Sequence, residues 1–273
     1  MNWYCHRDIV KDALGIPATS TREHVQIDSA AEAVSRLFDR YVGGQFFPTL
    51  QTRHYTPYGS DFLYIDPALS VVTLHTANGG TSFDTTWATG DFRLAPYNAT
   101  LMSPPGAYYE IQRTATGRYS FPVGVDRSVR VQANFGLFDE RSSAPAVVAT
   151  AINATQQTIE FGSATMLHVG QTLLLDSEQI FLKEYNGSSV YQVERARNGT
   201  SGATHSSNST VEFYRYPEID RAAIYQCQMD FRTKDSPMGM YVPMVTEEKL
   251  RAPGGIHPFV ARQLDPYRRR LVA

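Results

Sequence analysis

Apolar residues recur at spacings of three and four between Ile27 and Tyr41. Ile27, Ala30, Ala31, Val34, Leu37, Phe38 and Tyr41 make one stripe, which predicts a long helix. Ser20-Thr21-Arg22-Glu23 ahead of it has the form of a capping box, and Gly43-Gly44 stops it. A shorter helical pattern, RDIVKDAL at residues 7–14, comes first and is closed by Gly15 and Pro17. After Pro48 the rhythm changes to short β-type runs at 52–58, 61–66, 70–76, 85–89, 91–96, 108–114, 119–123 and 128–136. Pro, Gly, Asn and Asp separate them, as turns require. In the last run Val129, Val131 and Ala133 alternate with Arg130, Gln132 and Asn134, so one face is apolar and the other polar.

Residues 139–146 (DERSSAPA) read as a polar linker. A second β-rich block, 147–214, has runs at 158–161, 172–176, 178–186, 189–196 and 210–215, with turns at Asn186-Gly187 and Asn198-Gly199. Its size suits a small barrel or sandwich. Pro217-Glu218 then opens a helix to about Thr233, with Cys227 in its apolar stripe as a small buried hydrophobe. From Lys234 onward prolines recur, which predicts an extended tail with at most short helices at 247–251 and 258–264. Tyr241, Met244, Ile256, Phe259, Leu264 and Tyr267 are too apolar to be solvated there, so the chain's own domain or another chain must cover them. The expected class is α+β: a small helical core, a β-rich excursion, a barrel- or sandwich-like module, and an extended C-terminal tail.

Composition narrows the chemistry. The chain has 273 residues, 42% hydrophobic and 19% charged, with a formal net charge of -2. No global basic field points to nucleic-acid binding. The two cysteines, Cys5 and Cys227, are far apart in sequence and form neither a disulfide framework nor a metal motif. Synthesis in a reducing cytoplasm is expected, with no signal peptide and no run near the roughly 18 apolar residues of a membrane span.

The seven histidines are scattered without metal-ligand spacing. The loop RARNGTSGATHS, residues 195–206, lacks the Lys of a phosphate loop, and no G-x-S-x-G appears in the chain. It reads as a turn at the end of a hairpin, with hydroxyls bonding their own backbone and glycines at positive φ. Five N-x-[S/T] sites, at Asn98, Asn153, Asn186, Asn198 and Asn208, read as turn asparagines. No catalytic residue, cofactor or metal is expected. Arg127, Arg130, Arg195, Arg197, Arg215, Arg221 and the Arg268-Arg269-Arg270 triplet are dispersed. They suit passage of DNA past a moderately basic wall better than sequence readout.

One arrangement is more specific. HRDIVKDALGIPATS leads into SRLFDRYVGGQFFP, then LYIDPALSVVTL, FRLAPYN, YYEIQRT and RSVRVQANFG, and finally a helix opening YPEIDRAAIYQ that carries RTKDSPMGM. This order resembles the head–tail adaptor, or connector, proteins of tailed bacteriophages, over residues 1–136 and 216–240. The resemblance implies a helix pair, a β-rich excursion (48–138), and a returning helix packed on the pair, so that 1–47 and 216–235 form one helical core. Residues 147–214 depart from it as an inserted β-module, whose ending is similar to β-modules of phage structural proteins.

The resemblance implies a non-enzymatic virion protein at the neck, made in the host cytoplasm. It implies a ring of about twelve identical subunits under the portal, extending the channel for double-stranded DNA and presenting a platform to the stopper, tail or nozzle protein. No membrane partner is implied. Portal docking would fall to the tail from 236, through Tyr241, Met244, Ile256, Phe259, Leu264, Tyr267, Arg268, Arg269 and Arg270. Ring contacts would fall to the first β-block, and Arg127, Arg130 and Arg221 would face DNA or a neighbour. The alternative is another neck, tail-completion or baseplate protein whose β-module binds carbohydrate or protein.

Overall fold

A computed structural model describes residues 2–77, 82–101, 106–163, 166–233 and 255–268. Four helices are present among them: α1 (Arg7–Leu14), α2 (His24–Val42), α3 (Pro217–Thr233) and α4 (Pro258–Leu264). Twelve strands follow in chain order: β1 (Thr49–Tyr55), β2 (Phe62–Thr76), β3 (Thr85–Thr86), β4 (Phe92–Ala95), β5 (Tyr108–Arg113), β6 (Val129–Phe135), β7 (Arg141–Val148), β8 (Thr158–Gly162), β9 (Thr172–Leu175), β10 (Glu178–Tyr185), β11 (Val190–Arg197) and β12 (Thr210–Tyr214). The class is α+β. The chain divides into two compact units, one of residues 1–43 with 140–273, the other of residues 44–139. No helix among the described residues is long and apolar enough to cross a membrane.

In the first unit α1 ends as its sequence requires. Gly15 takes φ 71°, and its N–H bonds the Asp12 carbonyl at 3.0 Å. Gly43, at φ 73°, ends α2 in the same way. The capping box does not form. Glu23 occupies the cap position without capping, and the Ser20 hydroxyl donates to its carboxylate at 2.6 Å. Ile27, Ala31, Val34, Phe38 and Val42 carry the buried stripe of α2. The returning α3 packs on both α1 and α2, and buries Ile219, Ala222, Ala223 and Cys227.

Two buried cations tie this unit together. The Arg7 guanidinium, with its side chain 4% exposed, reaches Asp28 on α2 at 2.5 Å and Glu184 on β10 at 2.9 Å. Lys11 donates through Nζ to the carbonyls of Ala18 and Ser20 at 2.6 and 2.7 Å, which fixes the link between α1 and α2.

The second β-block is a closed antiparallel barrel of order β10-β11-β8-β7-β12-β9, filled by Val148, Ile159, Phe161, Leu173, Leu175, Ile180 and Leu182 among others. The polar linker expected at 139–146 is instead mostly strand. It supplies β7, which buries Ala146 and Val148 and pairs with β12 and β8. Its polarity misleads because Pro145 falls in the bulge between the pairs Ser143–Glu212 and Val147–Thr210, where no ladder N–H is needed. The 195–206 loop is likewise not a hairpin end. β11 pairs with β10 and β8, and β12 with β7 and β9, so the loop crosses the barrel mouth.

The other unit is an antiparallel sheet of order β1-β6-β2-β5-β4, with β3 on β2. The runs expected at 61–66 and 70–76 fuse into one strand, β2, which passes through buried Pro67 and bends at register shifts. The run at 119–123 is no strand. Its Phe121 instead enters the core and stacks on Trp87, with centroids 4.6 Å apart. β6 shows the expected alternation, with Val129, Val131 and Ala133 buried.

Candidate functional site

The 195–206 loop meets a charge cluster of the barrel. Glu178 opens β10 with a side chain 0% exposed, and Arg195 on β11 pairs with it at 2.6 Å. The carboxylate also accepts from the backbone N–H groups of Ala196 and Ala203 at 2.9 and 3.0 Å. His205, buried on the loop, lies 2.9 Å through Nε2 from Glu178 and 2.7 Å through Nδ1 from Asp176. Burial pushes the Glu178 carboxyl up, but Arg195, His205 and the two backbone donors outweigh it and hold it at about 2. Both imidazole nitrogens face carboxylates, so this geometry offers no ring nitrogen to a neighbouring hydroxyl.

The cluster clamps the loop to the barrel. Asn198 and Gly199 turn at φ 54° and 77°. Gly202 serves a different need from the positive φ expected of it: a Cβ there would meet the Ala154 carbonyl oxygen at 2.7 Å. The Thr200 hydroxyl bonds the Arg197 carbonyl at 2.7 Å, as expected of a turn hydroxyl. Asx geometry is also present at Asn153, whose Oδ1 accepts from the backbone N–H of Thr155 and Gln156. Sequence reading missed Glu178 and Asp176. The available signal was a carboxylate just ahead of the apolar run Ile180-Phe181-Leu182, with Arg195 on the next strand and His205 in the loop after it.

A cavity of about 690 Å³ opens in the same unit, lined by residues of the helices and of the barrel. Trp3, Phe213, Tyr225 and Phe259 give it aromatic walls, and His6, Asp220 and Arg221 give it polar ones. Burial pushes the Asp220 carboxyl up to about 7, against a hydrogen bond from the Tyr216 N–H and the attraction of Arg215. Burial and the neighbouring His168 push His6 down to about 4.

His6, Asp8 and His168 form a cluster with metal-ligating side chains. Its geometry does not fit an ion. The two imidazoles are stacked at 4.3 Å with planes 7° apart, so their in-plane lone pairs cannot converge. His6 Nδ1 already caps α1 by accepting from the Ile9 N–H at 3.2 Å, and His168 Nδ1 is 2.7 Å from Asp8.

In the sheet unit the polar face carries one basic row. His54, Arg130 and His75 lie side by side on β1, β6 and β2, with Arg130 over the Phe83 ring at 4.8 Å. Exposed Arg127 is near enough, with Arg130, to lower the His54 pKa, although partial burial is the larger cause. His75 is lowered by burial and Arg130. Both imidazoles are therefore neutral at pH 7. The row then carries the charge of its arginines, next to Asp126, and its field is screened within about 8 Å at physiological salt. Arg221, named with these arginines from the sequence, lies in the other unit, exposed on α3. Arg195 cannot face phosphates, because its side chain is 7% exposed and held by Glu178.

The C-terminal residues are partly placed. Tyr241, Met244, Arg269, Arg270 and the helix expected at 247–251 lie outside the described residues. The helix expected at 258–264 is α4. Its Val260 and Leu264 are fully buried, while Phe259 is 36% exposed. Ile256 is half-buried. Tyr267 donates to Glu218 on α3 at 2.7 Å, and Arg268 lies over the Tyr41 ring of α2 at 5.3 Å. The chain's own helices thus supply a covering surface for residues 255–268. No protein family, no curated protein and no solved structure matches this chain.

Proposed function

We propose that the protein is a structural component of a phage neck, a head-to-tail adaptor that forms a ring under the portal, extends the DNA channel and carries the tail or stopper. The observation that carries this reading is the helical core. The N-terminal pair α1–α2 and the returning α3 pack together, although 174 residues of chain (43–216) intervene. That is the arrangement the sequence resemblance implies.

Two further features support it. The sheet unit leaves Tyr58, Tyr64 and Tyr97 at 87%, 55% and 54% exposure, and such aromatics suit subunit contacts. The modest field of the Arg127–Arg130 row suits a wall past which duplex DNA slides, because strong phosphate binding would hold it. The exposed ring of Phe259 and the exposed Arg268 are the described residues offered for portal docking. Burial of Leu264 gives that residue the role of anchoring α4.

The self-contained core of the barrel favours a second reading, a module that binds carbohydrate or protein at another point of the tail. Two results on particles of the encoding phage separate these. Without the protein, heads should lose DNA and tails should detach. DNA-filled heads with firmly attached tails would sink the adaptor reading. A gold label at residue 200 should sit at the neck, and a label at the distal tip supports the second reading instead.

A further inference from the structure

Cys5 and Cys227, separated by 222 positions, meet in the helical core with their sulfurs 3.6 Å apart, and both are buried. Cys227 lies on the buried face of α3, 0% exposed. Cys5 lies just ahead of α1, in a segment held by the Tyr4 N–H on the Ser35 hydroxyl at 3.0 Å and by Trp3 edge-on to Phe181. Cys5 also lines the 690 Å³ cavity, and Cys227 is not among its lining residues. A buried thiol is ordinarily a small hydrophobe. Two features set this pair apart: the sulfurs are in contact, and a cavity brings a small solute to one of them.

We propose that Cys5 and Cys227 are an oxidation site, at which a peroxide entering the cavity closes an intramolecular disulfide that staples the N-terminal segment to α3. This rests on thiol geometry alone and stands or falls apart from the neck reading. Cys5 loses its proton to water, and its thiolate attacks a peroxide oxygen. An S–O bond forms, the O–O bond breaks, and the departing hydroxide takes up a proton to become water. The Cys227 sulfur then attacks the Cys5 sulfenic acid. The S–S bond forms, the S–O bond breaks, and hydroxide leaves with the Cys227 proton as a second water. Two thiols lose two electrons and one peroxide gains them.

The sulfurs, already 3.6 Å apart, must approach to about 2.05 Å for the bond to form. Contact with Cys227 and burial push the Cys5 thiol well above its ordinary value, so the reaction is slow and the reduced pair persists in a reducing compartment.

The full chain, reduced and then treated with hydrogen peroxide, tests this. Intact mass should fall by about 2 Da, a non-reduced peptide map should join Cys5 to Cys227, and the melting temperature should rise by about 5–10 °C, all reversed by dithiothreitol. Cys227→Ala should instead gain about one oxygen (~16 Da) at Cys5 without the rise in melting temperature. If that variant does not fold, the wild-type map still decides. Two thiols that still titrate after unfolding of the treated protein, or disulfides found only between chains, would overturn the proposal.

Discussion

At the scale of single residues, a buried charge cluster around Glu178 clamps the 195–206 loop to the barrel. Glu178 accepts from Arg195, from two backbone N–H groups and from His205, which also meets Asp176, so one carboxylate organises a whole crossing loop. Its folded pKa of about 2 lies below the ordinary value of 4.5. The stabilisation is therefore fully present above pH 4.5 and is lost as pH falls from there toward 2. Glu178→Gln should destabilise the protein by about 3–5 kcal/mol at pH 7, because Arg195 is left buried without its counter-charge. The variant should also show a shallower loss of stability in acid. Urea midpoints from pH 7 to pH 3 check both, and a variant as stable and as acid-sensitive as wild type would show that the cluster clamps nothing.

Among the elements, α4 shows how a segment that looked unfoldable alone finds a home. Val260 and Leu264 are fully buried, and Gln226 on α3 accepts from the His257 N–H at 3.0 Å. Leu264→Ala should cost about 2–5 kcal/mol and raise hydrogen exchange over α4 while the barrel strands stay protected. Exchange unchanged over 258–264 would contradict the docking of α4.

What the sequence disclosed follows the same scale. α1, α2, α3 and β6 were legible because periodicity and the closing glycines of α1 and α2 act within a few residues. β7 was not, because the strand Arg-Ser-Ser-Ala-Pro-Ala-Val-Val opens on polar residues and buries only Ala146 and Val148. The path of the 195–206 loop was not legible either, since Asn-Gly marks a turn without saying which strand comes next. The meeting of Cys5 with Cys227, and of Glu178 with His205, depends on tertiary proximity. No spacing rule carries that information.

For the molecule as a whole, we propose a place in an assembly. A three-helix core gathers both ends of the described chain, and two β-rich parts interrupt it, one an open sheet with exposed tyrosines and the other a closed barrel. Such a chain suits a heterologous ring, in which one face of each copy meets a different face of the next. The most direct test of the proposed role is a cryo-EM map of the neck of the phage particle in which the adaptor reading places this chain. The expected result is a closed ring of this chain between portal and tail, with tyrosine-bearing sheets at subunit contacts and residues from 255 onward touching the portal. Density for the chain only at the distal tail, or none in the particle, would contradict the claim.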